Sequence, residues 1–421
     1  MLPGTVRLHE TRGDALLVAM VSHSVYERDN RVMRYAQALS HRGDEVHVLS
    51  LSPGNGAAAY TQIDGVHVHR LCERKTGQRT SVLSSVRQTL HFGLLASLQL
   101  RRLRKKRRDR GQRPWDLLHI HNLPDVLIQT AIPYRRRGAG VILDIHDLMP
   151  EFFSARFSGA ASQRCVRWLL SAERWAASQA DHVLLASPLW LDRYQQRIAL
   201  MKTKPPACSV FINYVEQPRF PPRTPRQSSA LGTPIRLIFP GGLHQHQGVD
   251  VAIEAVSKLR QRNYPIQLEL YGQGPEEQSL RQLTNRLGLD TCIRFHGVAN
   301  IEQIAHAMSS CDIGIVPKRA DGFGNEAVST KILEFMSVGL PVVASATAVE
   351  QFLFSPKDIE FVTPADPHAL ANGIERVVTD TARRQHLIAR GHQLAQLWSW
   401  QRHQERYLAL VDELALRRRT L

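Results

Sequence analysis

Cysteine is scarce in this 421-residue chain, and the five present (Cys72, Cys165, Cys208, Cys292 and Cys311) are scattered, with no C-x-x-C pair. An odd, dispersed set cannot complete a disulfide framework and lacks zinc-site spacing, so a reducing compartment is expected. Long apolar runs are missing as well. No window approaches the roughly 18 to 20 apolar residues that span a bilayer. The first apolar run, 15–21, follows a polar stretch and is too short for a secretory leader, so a soluble or peripheral protein is expected. Acidic residues are under-represented in one half only. Residues 1–215 carry 31 Lys and Arg against 17 Asp and Glu, a net +14, whereas 216–421 carry 23 against 21. That imbalance suggests that the first half faces something anionic.

What is present is ordinary globular composition, 43% hydrophobic and 22% charged, at a length that suits two domains of roughly 200 residues each. Short apolar runs at 15–21, 45–51, 66–70, 117–121, 140–145, 182–186 and 208–212 predict strands. Helical patterns fall between them at 29–42, 124–137 and 162–179. The pattern breaks at 217–234, where five prolines among polar residues predict a linker. It then restarts, with strands at 235–239, 266–271, 292–295, 312–316, 342–344 and 360–362. The matching helices are 250–262, 275–287, 301–308, 329–338 and 367–377. Such alternation predicts the α/β class with doubly wound parallel sheets. The expected division is a domain over 1–216, a linker over 217–234 and a domain over 235–397. An amphipathic helix within 398–421 is expected to cross back and complete the first domain. Sheets of this kind bind ligands beyond the carboxyl ends of their strands, and two that face each other make a cleft.

The most informative stretch is 322–345, GFGNEAVSTKILEFMSVGLPVVAS. Glu326 and Glu334 stand eight positions apart, with Ser329, Thr330 and Lys331 opening a helix between them and a buried strand following. A helix N-terminus offers unpaired N–H groups and about half a positive charge, which suits phosphate. Carboxylates beside it make sense as acceptors for the hydroxyls of a sugar or ribose. A second phosphate candidate is the glycine-rich turn Gly241-Gly242-Leu243-His244-Gln245-His246-Gln247-Gly248, which follows the first strand of the second half.

With these motifs the chain resembles the retaining, nucleotide-sugar-dependent glycosyltransferases of family four, which have the GT-B fold of two facing Rossmann-like domains. Segments that carry the resemblance include 29–32, 144–147, 271–275, 295–297, 312–317 and the Trp400 helix, so it covers nearly the whole chain. It implies that Glu326 contacts the donor hexose near the reacting carbon, that Glu334 holds the ribose hydroxyls, and that His146 lies over the transferred sugar. Backbone N–H groups around Gly324, Asn325 and Thr330 would face sugar and diphosphate. It also implies a nucleotide-sugar co-substrate and no essential metal or other cofactor. The family usually has Arg at the position of Gly242 and Lys at that of Gln247, and both are missing. Lys331 is the preferred substitute cation, with Lys318 and Arg319 as alternatives. His119 and His121 share a strand face, but no third metal ligand is indicated. On the acceptor side the candidates are Asn30, Arg31, His121 and Asn122.

Residues 101–110, RRLRKKRRDR, place eight cations in ten residues directly after the apolar stretch 90–100. A basic helix end beside an apolar face predicts docking on an anionic membrane through 90–110. Nothing aromatic supports nucleic acid there. The sequence therefore points to a cytoplasmic enzyme, peripheral at the inner face of the cell membrane, that passes a hexose to a lipid-linked or glycan acceptor in cell-surface polysaccharide or glycolipid synthesis. Its rivals are an epimerase or phosphorylase of the same architecture, and a non-catalytic sugar-nucleotide-binding scaffold.

Overall fold

The computed structural model describes residues 15–54, 56–73, 82–112, 115–156, 160–223 and 234–417. Eight strands make the first sheet: β1 (Leu17–Val25), β2 (Glu45–Ser52), β3 (Tyr60–Ile63), β4 (Val66–Glu73), β5 (Leu117–His121), β6 (Gly140–Ile145), β7 (His182–Leu185) and β8 (Ala207–Val210). Their order is β3-β4-β2-β1-β5-β6-β7-β8. Every neighbouring pair is parallel except β3–β4, an edge hairpin. The hairpin turns on Asp64-Gly65, both at positive φ (48° and 78°), the backbone that a two-residue turn between twisted strands requires. Six strands make the second sheet: β9 (Ile235–Pro240), β10 (Ile266–Tyr271), β11 (Ile293–Gly297), β12 (Ile313–Val316), β13 (Val342–Ser345) and β14 (Glu360–Val362). They run β11-β10-β9-β12-β13-β14, all parallel.

Strands such as β5, β6, β12 and β13 are buried along their whole length, as expected when helices cover both faces of a parallel sheet. The order of each sheet reverses once, between β1 and β5 in the first lobe and between β9 and β12 in the second. The segments leaving these strands therefore line the natural ligand crevices. They are the Asn30–His41 helix and the turn at Asn122 in the first lobe, and the Gly241 loop and the Thr330–Val338 helix in the second.

The last helix, Trp400–Arg417, packs on β5 and β6 of the first lobe. There Tyr407 Oη lies 2.9 Å from His119 Nδ1, and Gly140 leaves room for Leu414, whose carbonyl oxygen would lie 3.1 Å from an added Cβ. The chain thus passes between lobes twice, and the two crossings touch. The Val215 N–H donates to the Trp398 carbonyl (3.3 Å) and the Trp400 N–H to the Val215 carbonyl (2.8 Å). Of the expected linker, 224–233 lies outside the described residues. So do 1–14 and 418–421.

The single helix expected over 124–137 is two short pieces instead, a 3-10 turn Asp125–Thr130 and a helix Ile132–Arg135. Pro133 cannot donate to a continuous helical ladder, and Asp125 is drawn inward to accept from Asn122 Nδ2 (2.8 Å). The basic run ends a 28-residue helix, Val82–Asp109. Phe92, Ala96 and Leu100 bury one face of it, whereas Val86, Leu90, Leu94 and Leu98, at four-residue spacing, are 38–58% exposed on another.

Candidate active site

The carboxyl ends of both sheets open on a cleft of about 860 Å³ between the lobes. Its first-lobe wall includes Arg28, Asp29, Asn30, Arg31, Arg34 and His146, and its second-lobe wall Gln273, Ile301, Thr330 and Glu334. Asp29 starts the Asn30–His41 helix, accepting from the Val32 N–H (3.2 Å) and from Ser24 Oγ (2.7 Å). Burial alone would push its carboxyl up. The nearby His146 and His121, with these hydrogen bonds, hold it below the usual carboxylate range.

Beneath His146 lies a buried polar cluster. Asp144, in the otherwise apolar run of β6, takes a forked pair of hydrogen bonds from Arg31 Nε (2.8 Å) and Nη2 (2.6 Å). Its Oδ2 also lies 3.1 Å from His121 Nδ1 and 3.1 Å from His146 Nε2. Burial opposes ionisation of Asp144, but the Arg31 guanidinium and His146 outweigh it and keep the carboxyl well below its ordinary value. Two full charges with both carboxylate oxygens engaged meet the requirement for a buried pair. Burial holds His119 and His121 below the ordinary imidazole value. His146 is therefore locked from behind: its side chain contacts Asp144, and its N–H donates to Asn122 Oδ1 (2.7 Å).

This cluster redefines three acceptor-side candidates. The guanidinium of Arg31 is committed to Asp144, the Phe211 carbonyl (2.6 Å) and Asn213 Oδ1 (3.2 Å), so it braces the cleft floor. His121 and Asn122 sit behind the wall and support His146, with Asn122 Nδ2 also donating to the Asp147 carbonyl. Only Asn30 keeps an exposed position on the cleft. The structure also supplies the third metal ligand that the sequence did not indicate, because Asp144 converges with His119 and His121. Arg31 already occupies both of its oxygens, and a cation there would face the guanidinium.

On the second lobe, Lys331 leans across the glycine turn. An added Cβ on Gly241 would lie 2.4 Å from Lys331 Cε and 2.9 Å from Nζ, so the tip of Lys331 occupies the space that the glycine leaves and would have to shift for a larger residue. Lys331 Nζ donates to Gln247 Oε1 (3.0 Å) and lies over the Phe239 ring, 5.0 Å from its centroid. Burial pulls its pKa down to about 8, and burial pushes the Glu334 carboxyl up. The first amides of the Thr330–Val338 helix have no acceptor within it, and its Ser329 side chain makes no capping bond. Lys318 and Arg319 are spent elsewhere. Lys318 is buried against Glu350 (3.1 Å) and the Ala327 carbonyl (2.6 Å), and Arg319 pairs with Asp250.

The loop before this helix departs from expectation. The Gly324 N–H donates to Asp321 Oδ1 (2.7 Å) and the Asn325 N–H to the Asp321 carbonyl (2.7 Å), so neither amide is presented to a diphosphate. Glu326 does not line the His146 cleft. It lines a separate pocket of about 430 Å³ with Pro150, Glu151, Ser154, Arg193 and Arg197. Arg193 Nη2 lies 2.5 Å from Glu326 Oε1 and also holds Glu151. Ser187 Oγ donates to the Glu326 carbonyl (2.8 Å), so this loop is docked on the first lobe.

Sequence reasoning missed Asp144, Arg34 and Arg193 as site residues. A carboxylate inside the apolar strand VILDI was a usable signal for Asp144. Arg34 follows Arg31 by three positions on one helix face, and its Nη2 reaches Asn213 Oδ1 (3.0 Å). Nothing local marked Arg193, whose role depends on the other lobe.

Comparison with known proteins places this geometry. Residues 29–203 match the model of the glycosyl transferase 4-like domain, and 234–380 that of the group 1 glycosyl transferases. A putative colanic acid biosynthesis glycosyltransferase of Escherichia coli, WcaL, is 27% identical over 195 residues, 46% of each chain. The match thus spans about half the length of that curated relative. Sucrose-phosphate synthase from Thermosynechococcus elongatus superposes with a TM-score of 0.72 at 19% identity, covering 95% of this chain and 99% of the other. Anabaena HepE, solved with UDP and glucose, gives 0.69 at 16% identity, covering 94% and 100%.

Proposed function

We infer the reaction from one premise: the chain belongs to the family-four glycosyltransferases and has their GT-B fold. We propose that it transfers a hexose, with retention, from a nucleoside diphosphate donor to a hydroxyl of a lipid-linked or glycan acceptor. The observation that carries this reading is Lys331. Its ammonium sits against Gly241 and Gln247, beside an uncapped helix start and one helical turn from Glu334. The position where the family usually has a lysine, Gln247, is thus the residue that Lys331 touches. The charge reaches the same place from another element.

In this reading the diphosphate lies between the Gly241-Gly242 turn and the Thr330 helix start, where Lys331 and the free amides stabilise the departing charge. Glu334 accepts from the ribose hydroxyls. Glu326 accepts from the hexose once Arg193 yields its hold, and His146, braced by Asp144 and Asn122, closes over the sugar. Gly324 and Asn325 shape the loop through Asp321 and bind the donor only if that turn opens. No resident metal takes part, because cationic side chain and helix amides meet the phosphate charge.

Membrane contact belongs to the same proposal. The exposed Val86, Leu90, Leu94 and Leu98 stripe runs into the basic end of its helix. The Ala160–Ser178 helix, which like the basic helix packs against the 3-10 turn Asp125–Thr130, exposes Trp168 and Trp175. No described helix is long and apolar enough to cross a membrane. Apolar side chains flanked by cations fit an anionic leaflet, which supports reading the enzyme as peripheral at the inner face of the cell membrane, where lipid-linked acceptors reside.

The test is incubation with a panel of nucleotide sugars, with and without membrane extract, following donor consumption and the anomeric form of the product. Slow donor hydrolysis that acceptor accelerates, and that Glu326→Ala abolishes, supports the proposal. Binding without any turnover supports a scaffold instead, and acceptor-independent conversion of the donor supports an epimerase.

A further inference from the structure

On the far side of the first lobe from the cleft, at the end of the sheet where β2 begins, three potential metal ligands converge. His47 of β2 and His67 of β4 are paired in register on parallel neighbours, and Glu45 lies two residues before His47 on the same strand face. The two imidazoles stack with centroids 4.6 Å apart and 15° between planes. One ligand atom from each of Glu45, His47 and His67 falls within 4.8 Å of the other two. We propose that Glu45, His47 and His67 form a binding site for a divalent transition ion of the zinc class, with water completing the coordination.

The surroundings are built for such an ion. A ligating histidine is normally oriented by a partner on its other nitrogen, and both histidines have one. His47 Nδ1 lies 3.0 Å from His69 Nε2, and His67 Nδ1 lies 2.8 Å from Tyr60 Oη. These bonds leave the Nε2 atoms of His47 and His67 to face the ion. Without metal, His47 Nε2 is 2.9 Å from Glu45 Oε1. In that state the Gln99 Nε2 amide donates to His69 Nδ1, 3.3 Å away. Binding moves the His47 proton to Nδ1, where His69 Nε2 accepts it, and the His69 proton passes to Nδ1, which requires the Gln99 amide to turn its oxygen to accept it. Glu45 is the exposed member, with 39% of its side chain accessible and 10% of that of His47, which gives an ion an entry path. Two imidazoles and a carboxylate suit zinc or copper over the hard ions. One group opposes binding: Arg107 Nη1 lies 2.5 Å from Glu45 Oε1 and must share that carboxylate or swing away.

The site stands apart from the glycosyl-transfer cleft, so the two readings fail independently. The experiment is calorimetric titration of untagged, chelator-stripped full-length protein with ZnCl₂, repeated with Co²⁺ to read the visible ligand-field bands. One equivalent should bind in wild type. His67→Ala and Glu45→Gln should weaken binding at least tenfold, with far-UV circular dichroism checking their folding. Tyr60→Phe should weaken it while leaving the stoichiometry at one, and Arg107→Gln should tighten it by removing the competing cation. Failure to saturate near one equivalent overturns the proposal. So does binding that survives in both Glu45→Gln and His67→Ala, or that is lost in His121→Ala but not in these variants, since the ion would then sit in the buried cluster.

Discussion

Replacing Lys331 by methionine tests the proposed donor site most directly. Methionine keeps an unbranched stem out to Cε and loses the ammonium, so the packing of that stem against Gly241 survives while the proposed diphosphate site loses its cation. A hydrogen bond to a charged group contributes about 1.5–3 kcal/mol, which at about 1.4 kcal/mol per decade corresponds to roughly a 10- to 150-fold loss of nucleoside diphosphate affinity. Free protein should respond in the opposite direction. A lysine whose folded pKa is about 8, below its unfolded value, binds its proton less tightly when folded. Its burial therefore costs stability below about pH 8, and the cost is relieved as pH rises from there toward the unfolded value. Lys331→Met should accordingly melt higher than wild type at pH 7 while binding donor more weakly. Wild-type affinity should fall as pH rises through about 8, as the ammonium loses its proton, and the variant should show no such step. Adding Gln247→Lys to the variant should restore binding, since that residue contacts Lys331 now. The assay is calorimetric titration with UDP and the other nucleoside diphosphates from pH 6.5 to 9, paired with thermal melts. Unchanged affinity in Lys331→Met for the nucleotide that binds best would refute the reasoning.

Glu334→Gln should raise donor KM about tenfold with little change in kcat, because a ribose contact acts equally in ground and transition states; steady-state kinetics against donor concentration checks this. Asp144→Asn leaves Arg31 buried without its partner and should cost about 3–5 kcal/mol of stability, read as a lower midpoint in urea. Because the Asp144 pKa is depressed, its contribution is present above the ordinary carboxylate pKa and lost as pH falls through the folded value. The wild type should lose its advantage over the variant only in strong acid. Changing Lys105, Lys106, Arg108 and Arg110 to glutamine removes cations that each add about 1 kcal/mol near an anionic surface. Co-sedimentation with vesicles containing anionic lipid should drop by more than a hundredfold in partition coefficient; a change under threefold would remove this helix from membrane docking.

Most strands were legible because a parallel sheet covered on both faces demands uninterrupted apolar runs, and VILDI or IGIV has no other stable use. The β3 hairpin was not, since its strand alternates polar residues at an edge, although Asp64-Gly65 carried a turn signal. Site residues divided by the range of their partners. Lys331 and Glu334 lie on one helix start, so their spacing was informative. Glu326 lies in the same stretch of sequence, yet its side chain is claimed by Arg193, 133 positions away. Arg31 looked like a surface cation because the carboxylate that neutralises it arrives from β6, 113 positions later. Sequence spacing reports on one element at a time, whereas a cleft between two sheets is assembled from partners on several.

The paired crossings at Val215 and Trp398–Trp400 also dictate how this molecule can move. Two lobes joined by a single tether can tumble about three axes. Here both tethers leave the first lobe side by side, clamped by two backbone hydrogen bonds, and the one around Phe220–Arg223 is fastened to the second lobe as it departs. Ser337 Oγ donates to the Phe220 carbonyl (2.6 Å) and the Arg223 N–H to the Val338 carbonyl (2.9 Å). Both attachments fall at the carboxyl end of the very helix whose start carries Lys331 and Glu334. Twisting and sliding would break these bonds, while swinging about the clamped line preserves them. Among the described residues these bonds leave a jaw-like rotation as the soft coordinate, and the helix proposed to hold the donor is bolted to its axle.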